Sequence, residues 1–340
     1  MLTANIGTMI NPSDLAWWAT YGAGLVVEVV GPEQDIIWEG YVSRMTIGIG
    51  GLSYTIGPLA QVANRVSVIF SELDTSTDPP SSGVKYQTAY AEDEASQRQY
   101  GVIEKVLSTG TVSVDVAGYI RDLYLQENAW PAKSNRYTMG SVGSELGLSL
   151  SCLGWYHKLG YTYYAETSGG QDLSAKIGAI LDAEPNGIFS SDNAVITSNT
   201  AQVQAWETGS KTGKALIKAM LAMGDASLNR YMFTVGKGRE VRYEQVGSEP
   251  EYQVALSDPS GSIKQLSDGR VAPWRIEPGK WVWYTDLLPG TADPNTQRRM
   301  SDRAFIDQIT YTAPYGVVIQ SGAYGDLAQM VAQLGISGIG

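Results

Sequence analysis

The sequence predicts a β-rich α+β protein, with antiparallel sheets in two successive parts of the chain and helical excursions from each. Three observations point there. From Gly24 to Phe70, apolar and polar residues alternate in short runs, the two-residue period of strands that bury one face. The 340 residues include 38 glycines and 20 tyrosines, and only 17% are charged, a balance suited to many turns and aromatic cross-strand pairs. A Ser168-Gly169-Gly170 break then separates this region from a second set of helix-period and strand-period runs. The expected division is a lead-in at 1–23, a first domain at 24–168 with an inserted region at 72–137, and a second domain at 169–340.

Taken in order, Met1 to Ala23 holds a short helix expected after Ser13 or Asp14. Its adjacent Trp17 and Trp18 can dock on another chain or pack on this one. In the next strand Leu25, Val27 and Val29 share one face, and Val26, Glu28 and Val30 the other. Pro32 to Asp35 turns the chain into a strand from Ile36 to Ile49, and Gly50-Gly51 permits a tight hairpin. Leu52 to Ile56 runs back, and Val62 to Phe70 makes a further strand. Trp38 and Tyr41 have opposite strand parity, so one face of their strand is core and the other meets a helix or a partner.

Glu72 to Gly83 has the composition of a loop, Ala91 to Tyr100 that of a polar turn or helix, and Val102 to Leu107 that of a strand. Ser113 caps a helix from Val114 to about Asn128, with Asp115 in its first turn and Val116, Ile120 and Leu123 as its apolar stripe. Trp130-Pro131 ends it. Leu146 to Tyr156 alternates again, and Tyr161 to Tyr164 is expected to add an aromatic strand that helps close the first sheet.

Past the break, Asp172 caps a helix from Leu173 to Asp182, whose Leu173, Ile177, Ile180 and Leu181 share a face. Thr212 caps another, with Leu216, Ala219, Met220 and Met223 together and Gly224 as its stop. Tyr231 to Val235 and Glu240 to Gln245 form a hairpin around Gly236-Lys237-Gly238. Trp281 to Tyr284, Phe305 to Thr312 and Val317 to Ser321 read as strands, Pro289 to Arg299 as a loop, and Asp326 opens a closing helix stopped by Gly335.

The net charge of −11 argues against gripping a nucleic-acid backbone, which needs clustered Lys and Arg. One cysteine, Cys152, forms no intrachain disulfide and reads as a buried inert thiol. The single histidine, His157, is expected to pack within its strand-and-turn segment, and the chain lacks the ligand spacing of a zinc site. Gly209 to Ala215 only superficially resembles a phosphate loop, because its glycines are too close and Ala215 replaces the magnesium-binding hydroxyl. Gly48-x-Gly50 lacks the third glycine of a dinucleotide fingerprint. A glycosidase needs only two carboxylates; Glu39 and Asp286, each close to aromatic residues, are the candidates. The expectation is a soluble protein made in the cytoplasm, not an enzyme, with no cofactor, no metal and no membrane insertion.

Several segments, in order, resemble the hub proteins at the distal end of bacteriophage tails, the tail-hub or baseplate-hub group. They are Trp38-Glu39-Gly40-Tyr41-Val42, Gly51-Leu52-Ser53-Tyr54, Ala63-Asn64-Arg65-Val66, Ser96 to Gly101 and Leu123 to Pro131. Leu148 to Leu159, Lys214 to Gly224 and Arg239 to Glu244 continue the set. The resemblance implies two small antiparallel β-barrel domains per chain and a homotrimer that makes a six-fold-like ring. Such a ring joins the tail tube or distal tail protein to a central spike or fibre, beside the tape measure protein, and DNA passes through it without specific binding. Location in the virion, at the tail tip or baseplate, follows. Trp17, Trp18, Trp38 and Tyr41 are the candidate assembly-interface residues. The alternatives are a hexameric distal tail ring protein, a carbohydrate-binding or wall-degrading tail-tip module, and the equivalent part of an injection device or gene-transfer particle.

Overall fold

The computed structural model describes residues 3–74, 81–138, 146–165, 168–206, 211–227, 229–247, 249–255, 263–267, 269–272, 275–285, 302–312 and 316–322. Asp286, the 289–299 loop, and the helix expected from Asp326 lie outside them. The first elements are β1 (Thr3–Met9), α1 (Leu15–Tyr21), β2 (Val26–Val30), β3 (Ile36–Ile49), β4 (Leu52–Ile56), β5 (Arg65–Asp74), β6 (Ser81–Gln87) and β7 (Ala91–Glu92). Next come α2 (Glu94–Tyr100), β8 (Glu104–Thr111), α3 (Val114–Asn128), β9 (Lys133–Tyr137), β10 (Leu146–Gly154), β11 (Gln171–Asp172), α4 (Leu173–Asp182), β12 (Val195–Ile196) and β13 (Gln202–Val203). The chain continues through α5 (Gly213–Met223), β14 (Tyr231–Val235), β15 (Val241–Gln245), β16 (Tyr252–Ala255), β17 (Ile263–Gln265), β18 (Gly269–Arg270), β19 (Trp281–Thr285), β20 (Asp302–Thr312) and β21 (Gly316–Gly322).

The protein is β-rich, with several antiparallel sheets and a few helices. Its first sheet has the order β1-β10-β3-β4-β9, and β2 adds to β3. β3 is the spine: β2 pairs with its first half, β4 with its second half, and β10 with Gly40 to Ile49. A bulge at Ser43, where Cys152 faces Val42 and Ser151 faces Arg44, shifts the parity of the strand. Trp38 and Val42 face the core before the bulge, and Met45 and Ile47 after it. β10, strictly alternating, buries Leu146, Leu148, Leu150 and Cys152 on the same side.

β5 departs from the expected meander. It leaves the first sheet and pairs with β6, β7 and, in parallel, β8. The excursion therefore starts at β5, and β9 returns to the first sheet beside β4. The stretch read as a loop from Glu72 is partly strand, since β5 reaches Asp74 and β6 starts at Ser81. α3 has the expected bounds, with Ser113 Oγ accepting from the Val116 amide at 3.3 Å. However, its inward residues are Ala117 and Ile120, against Val68 and Phe70, whereas Val116 and Leu123 are exposed. Tyr161 to Tyr164 is not a strand; Tyr163 makes only an isolated bridge to Thr212.

Beyond residue 168 there are a β11-β13 pair, a β12-β15-β14 sheet and a six-stranded sheet β18-β17-β16-β19-β20-β21. α4 buries Leu173, Ile177, Ile180 and Leu181 as its spacing requires, but Asp172 accepts from Gln202 rather than capping the helix. In α5, Ile217 is buried beside Leu216 and Met220, while Ala219 faces out. One buried cluster runs from Ala23 to Tyr243, across the Ser168–Gly170 break; Tyr252, Ile276, Val282, Ile306 and Ile309 form another. No closed barrel forms among the described residues. β1 and β9 stand at opposite ends of the first sheet, and β5, which could have extended it, is satisfied by β6 to β8.

Candidate functional site

Two buried polar seams join distant parts of the chain. In β3, Glu39 and Tyr41 share the face turned away from Trp38 and Val42, and the chain's own later residues cover that face. The Glu39 carboxylate, with a side chain 10% exposed, accepts from Trp155 Nε1 at 2.9 Å and from the Gly238 amide at 2.7 Å. Arg239 Nε lies 3.9 Å away, and its guanidinium sits 4.4 Å from the Trp155 ring centroid. Arg239 is held at φ 61°, a left-handed conformation that ordinarily favours glycine. Glu39 thus ties β3 to the turn between β14 and β15.

Next to it Tyr41, fully enclosed, donates its hydroxyl to the Tyr161 hydroxyl at 2.8 Å. Lys158, also buried, donates to the Tyr100 carbonyl at 3.1 Å and lies 4.6 Å and 5.0 Å from the ring centroids of Tyr41 and Tyr161. Burial pulls its ammonium down to about 8, against the smaller opposing effect of Glu184. Burial pushes the Tyr161 hydroxyl up to about 12, and raises Tyr41 further.

The second seam holds the excursion. Asn64, completely buried, donates to Ser96 Oγ at 3.1 Å and to the Gly101 carbonyl at 2.9 Å, and accepts from the Ile103 amide at 2.7 Å. Ser96 Oγ donates in turn to the Ala129 carbonyl at 2.5 Å. Glu104 pairs with Arg65 at 3.0 Å and accepts from the Tyr163 amide at 2.6 Å. The Asn64 and Ser96 side chains find structural partners, the condition for burying polar groups without a large cost, while buried Arg65 Nε makes an ion pair with Glu92 at 3.0 Å but no hydrogen bond.

The four residues expected at an assembly interface separate. Trp38 is 8% exposed and Tyr41 0%, so both lie inside this chain. Trp18 is half-buried against the main core. Trp17 is 48% exposed and stands edge-on to Trp18, their centroids 5.2 Å apart. Tyr21, one turn on and 53% exposed, extends the patch, with its ring 6.1 Å from Trp17. Gln99 of α2 donates to the Thr20 carbonyl at 2.8 Å, which fixes α1 beside α2. Tyr21 could have been found from its i, i+4 spacing to Trp17.

Cys152 is buried, and its thiol is pushed up to about 11, away from nucleophilic reactivity. His157 Nδ1 lies 3.2 Å from Lys214 Nζ, and burial, together with Lys214 and the N-terminal charge, lowers the imidazole to about 4. Among the described residues no group of three or more His, Cys, Asp or Glu could hold a metal ion, and no helix is long and apolar enough to cross a membrane. Comparison with protein-family models and with curated proteins gave no match.

Proposed function

We propose that this chain is a structural assembly protein of a phage or phage-like tail. As the hub at the distal end, three copies form a ring that joins the tail tube or distal tail protein to a central spike or fibre around the DNA path. The observation that carries the reading is the aromatic face of α1, where Trp17 and Tyr21 stand half exposed on a helix fixed to α2. An exposed aromatic pair on a rigid support is the kind of anchor that protein interfaces use. The ordered sequence resemblance supplies the class of assembly, and the use of Glu39 as a strut weighs against the glycosidase alternative. Two barrels closed within the ring remain part of the proposal.

Electron microscopy of purified particles tests it: the proposal expects this chain at the tail tip in three copies. Absence from the particle would overturn it, and six copies would assign the distal tail ring instead. The same aromatic face could stack sugar rings. Retention on host wall polysaccharide that Trp17→Ser abolishes would favour the carbohydrate-binding alternative.

A further inference from the structure

α3 has a second apolar face that its own sheet does not use. While Ala117 and Ile120 pack inward, Val116, Tyr119 and Leu123 lie on the opposite side and are 46%, 67% and 40% exposed. Their i, i+3, i+7 spacing makes one continuous stripe. Asp115 and Asp122 flank it on one side and Glu127 on the other. Asp122 is held by Arg121, the helix's only cation, whereas Asp115 and Glu127 have no ion-pair partner among the described residues.

α5 presents the complement. With Leu216, Ile217 and Met220 buried, its outer face consists of Ala215, Lys218 and Ala219, with half-buried Ala222. Gly213 to Met223 contains two lysines and no acid, in a chain whose net charge is −11. Exposed Lys211 precedes the helix, and neither it nor Lys218 has an ion-pair partner among the described residues. One face is bulky and acidic, and the other small and basic. Close helix packing with charge complementarity requires that combination.

We propose that α3 of one copy docks on α5 of a second copy. Val116, Tyr119 and Leu123 seat against Ala215 and Ala219, and the Asp115 and Glu127 carboxylates meet Lys211 and Lys218. Where α3 and α5 of one copy engage two different neighbours, the contact is heterologous and repeats from copy to copy, closing a ring if the rotation allows. The inference rests on the assembly reading in taking a second copy as partner, and adds the surface that joins them.

Sedimentation velocity of the full chain over a wide concentration range tests the pairing. The set is wild type, Tyr119→Ser, Glu127→Lys, Lys218→Glu, and the Glu127→Lys/Lys218→Glu double variant. All three positions are on outer helix faces, so thermal melts should match wild type and confirm folding. Wild type should associate, Tyr119→Ser should weaken association by about tenfold or more, each charge reversal should weaken it, and the double variant should recover it. Association that persists in Tyr119→Ser and in both single reversals overturns the α3–α5 pairing but leaves the assembly reading intact. Wild type that stays monomeric throughout also overturns the pairing; the assembly reading is then decided separately by the copies counted in particles.

Discussion

Replacing Glu39 with glutamine should destabilise the fold by about 2–4 kcal/mol. The carboxylate takes one hydrogen bond from Trp155 Nε1 at 2.9 Å and one from the Gly238 amide at 2.7 Å, in a site where its side chain is 10% exposed. A hydrogen bond to a charged group contributes about 1.5–3 kcal/mol. Glutamine keeps a single acceptor oxygen and turns an amino group toward the other donor, so one bond is lost and a buried N–H is left facing another N–H. Loss of the charge also removes the attraction to Arg239, whose Nε lies 3.9 Å from the carboxylate. Urea unfolding followed by tryptophan fluorescence gives the free energy, and Arg239→Ala, alone and combined with Glu39→Gln, separates the contribution of the guanidinium. A Glu39→Gln variant within about 0.5 kcal/mol of wild type would refute the strut. If that variant instead lost release of reducing ends from host wall at full stability, Glu39 would be a catalytic acid and the protein an enzyme.

Acid should weaken the fold through His157. Its imidazole is lowered from 6.5 to about 4, so the unfolded chain takes up a proton first, and stability falls as pH drops from about 6.5 to 4. For this half-buried ring the loss is about 2 kcal/mol after solvent screening; His157→Gln should remove that difference between urea titrations at pH 4.5 and 7, and an unchanged slope would contradict the assignment. Lys158 acts at the other end: lowered from 10.5 to about 8, it releases its proton in the native state first, so its contribution rises with pH between those values. Lys158→Met should flatten that rise up to about pH 10, where the raised tyrosines Tyr41 and Tyr161 begin to lower stability in both proteins. Gly40→Ala should cost about 1–3 kcal/mol in thermal or urea unfolding, because a Cβ there would meet the Leu153 carbonyl and, at 2.6 Å, the Trp38 ring. Trp17→Ser should leave the unfolding free energy within about 0.5 kcal/mol of wild type while reducing co-purification with tail proteins.

Legibility followed the range of the interaction that sets each feature. β3 and α4 have the bounds that their alternation and helical spacing dictate, and Ser113 and Thr212 cap α3 and α5 from within one turn. These signals are local. The departure of β5 was not legible, because its strand-like residues do not specify whether the partner is β4 or the parallel β8. Nor does spacing choose between two apolar faces of α3: Val116 and Leu123 are as periodic as Ala117 and Ile120, and only the shape of the sheet beneath selects the smaller pair. Glu39 is the sharpest case. Its donors lie 116 and 199 residues further along the chain, so the sequence shows an acid beside a tryptophan and gives no sign of a strut. Strand parity did place Trp38 and Tyr41 on opposite faces. Both are nevertheless inside, because the Trp155–Gly160 turn and Tyr161 cover the Tyr41 face.

The central claim, that the chain is a ring-forming hub at a tail tip, meets its most direct test in cryo-electron microscopy of intact particles with this chain specifically labelled. The expected image is a three-copy ring between the tube end and the spike, with α1 and its Trp17–Tyr21 face in contact with a neighbouring chain. Particles that lack the label at the tail tip, or a labelled chain bound singly with that face in solvent, would contradict it.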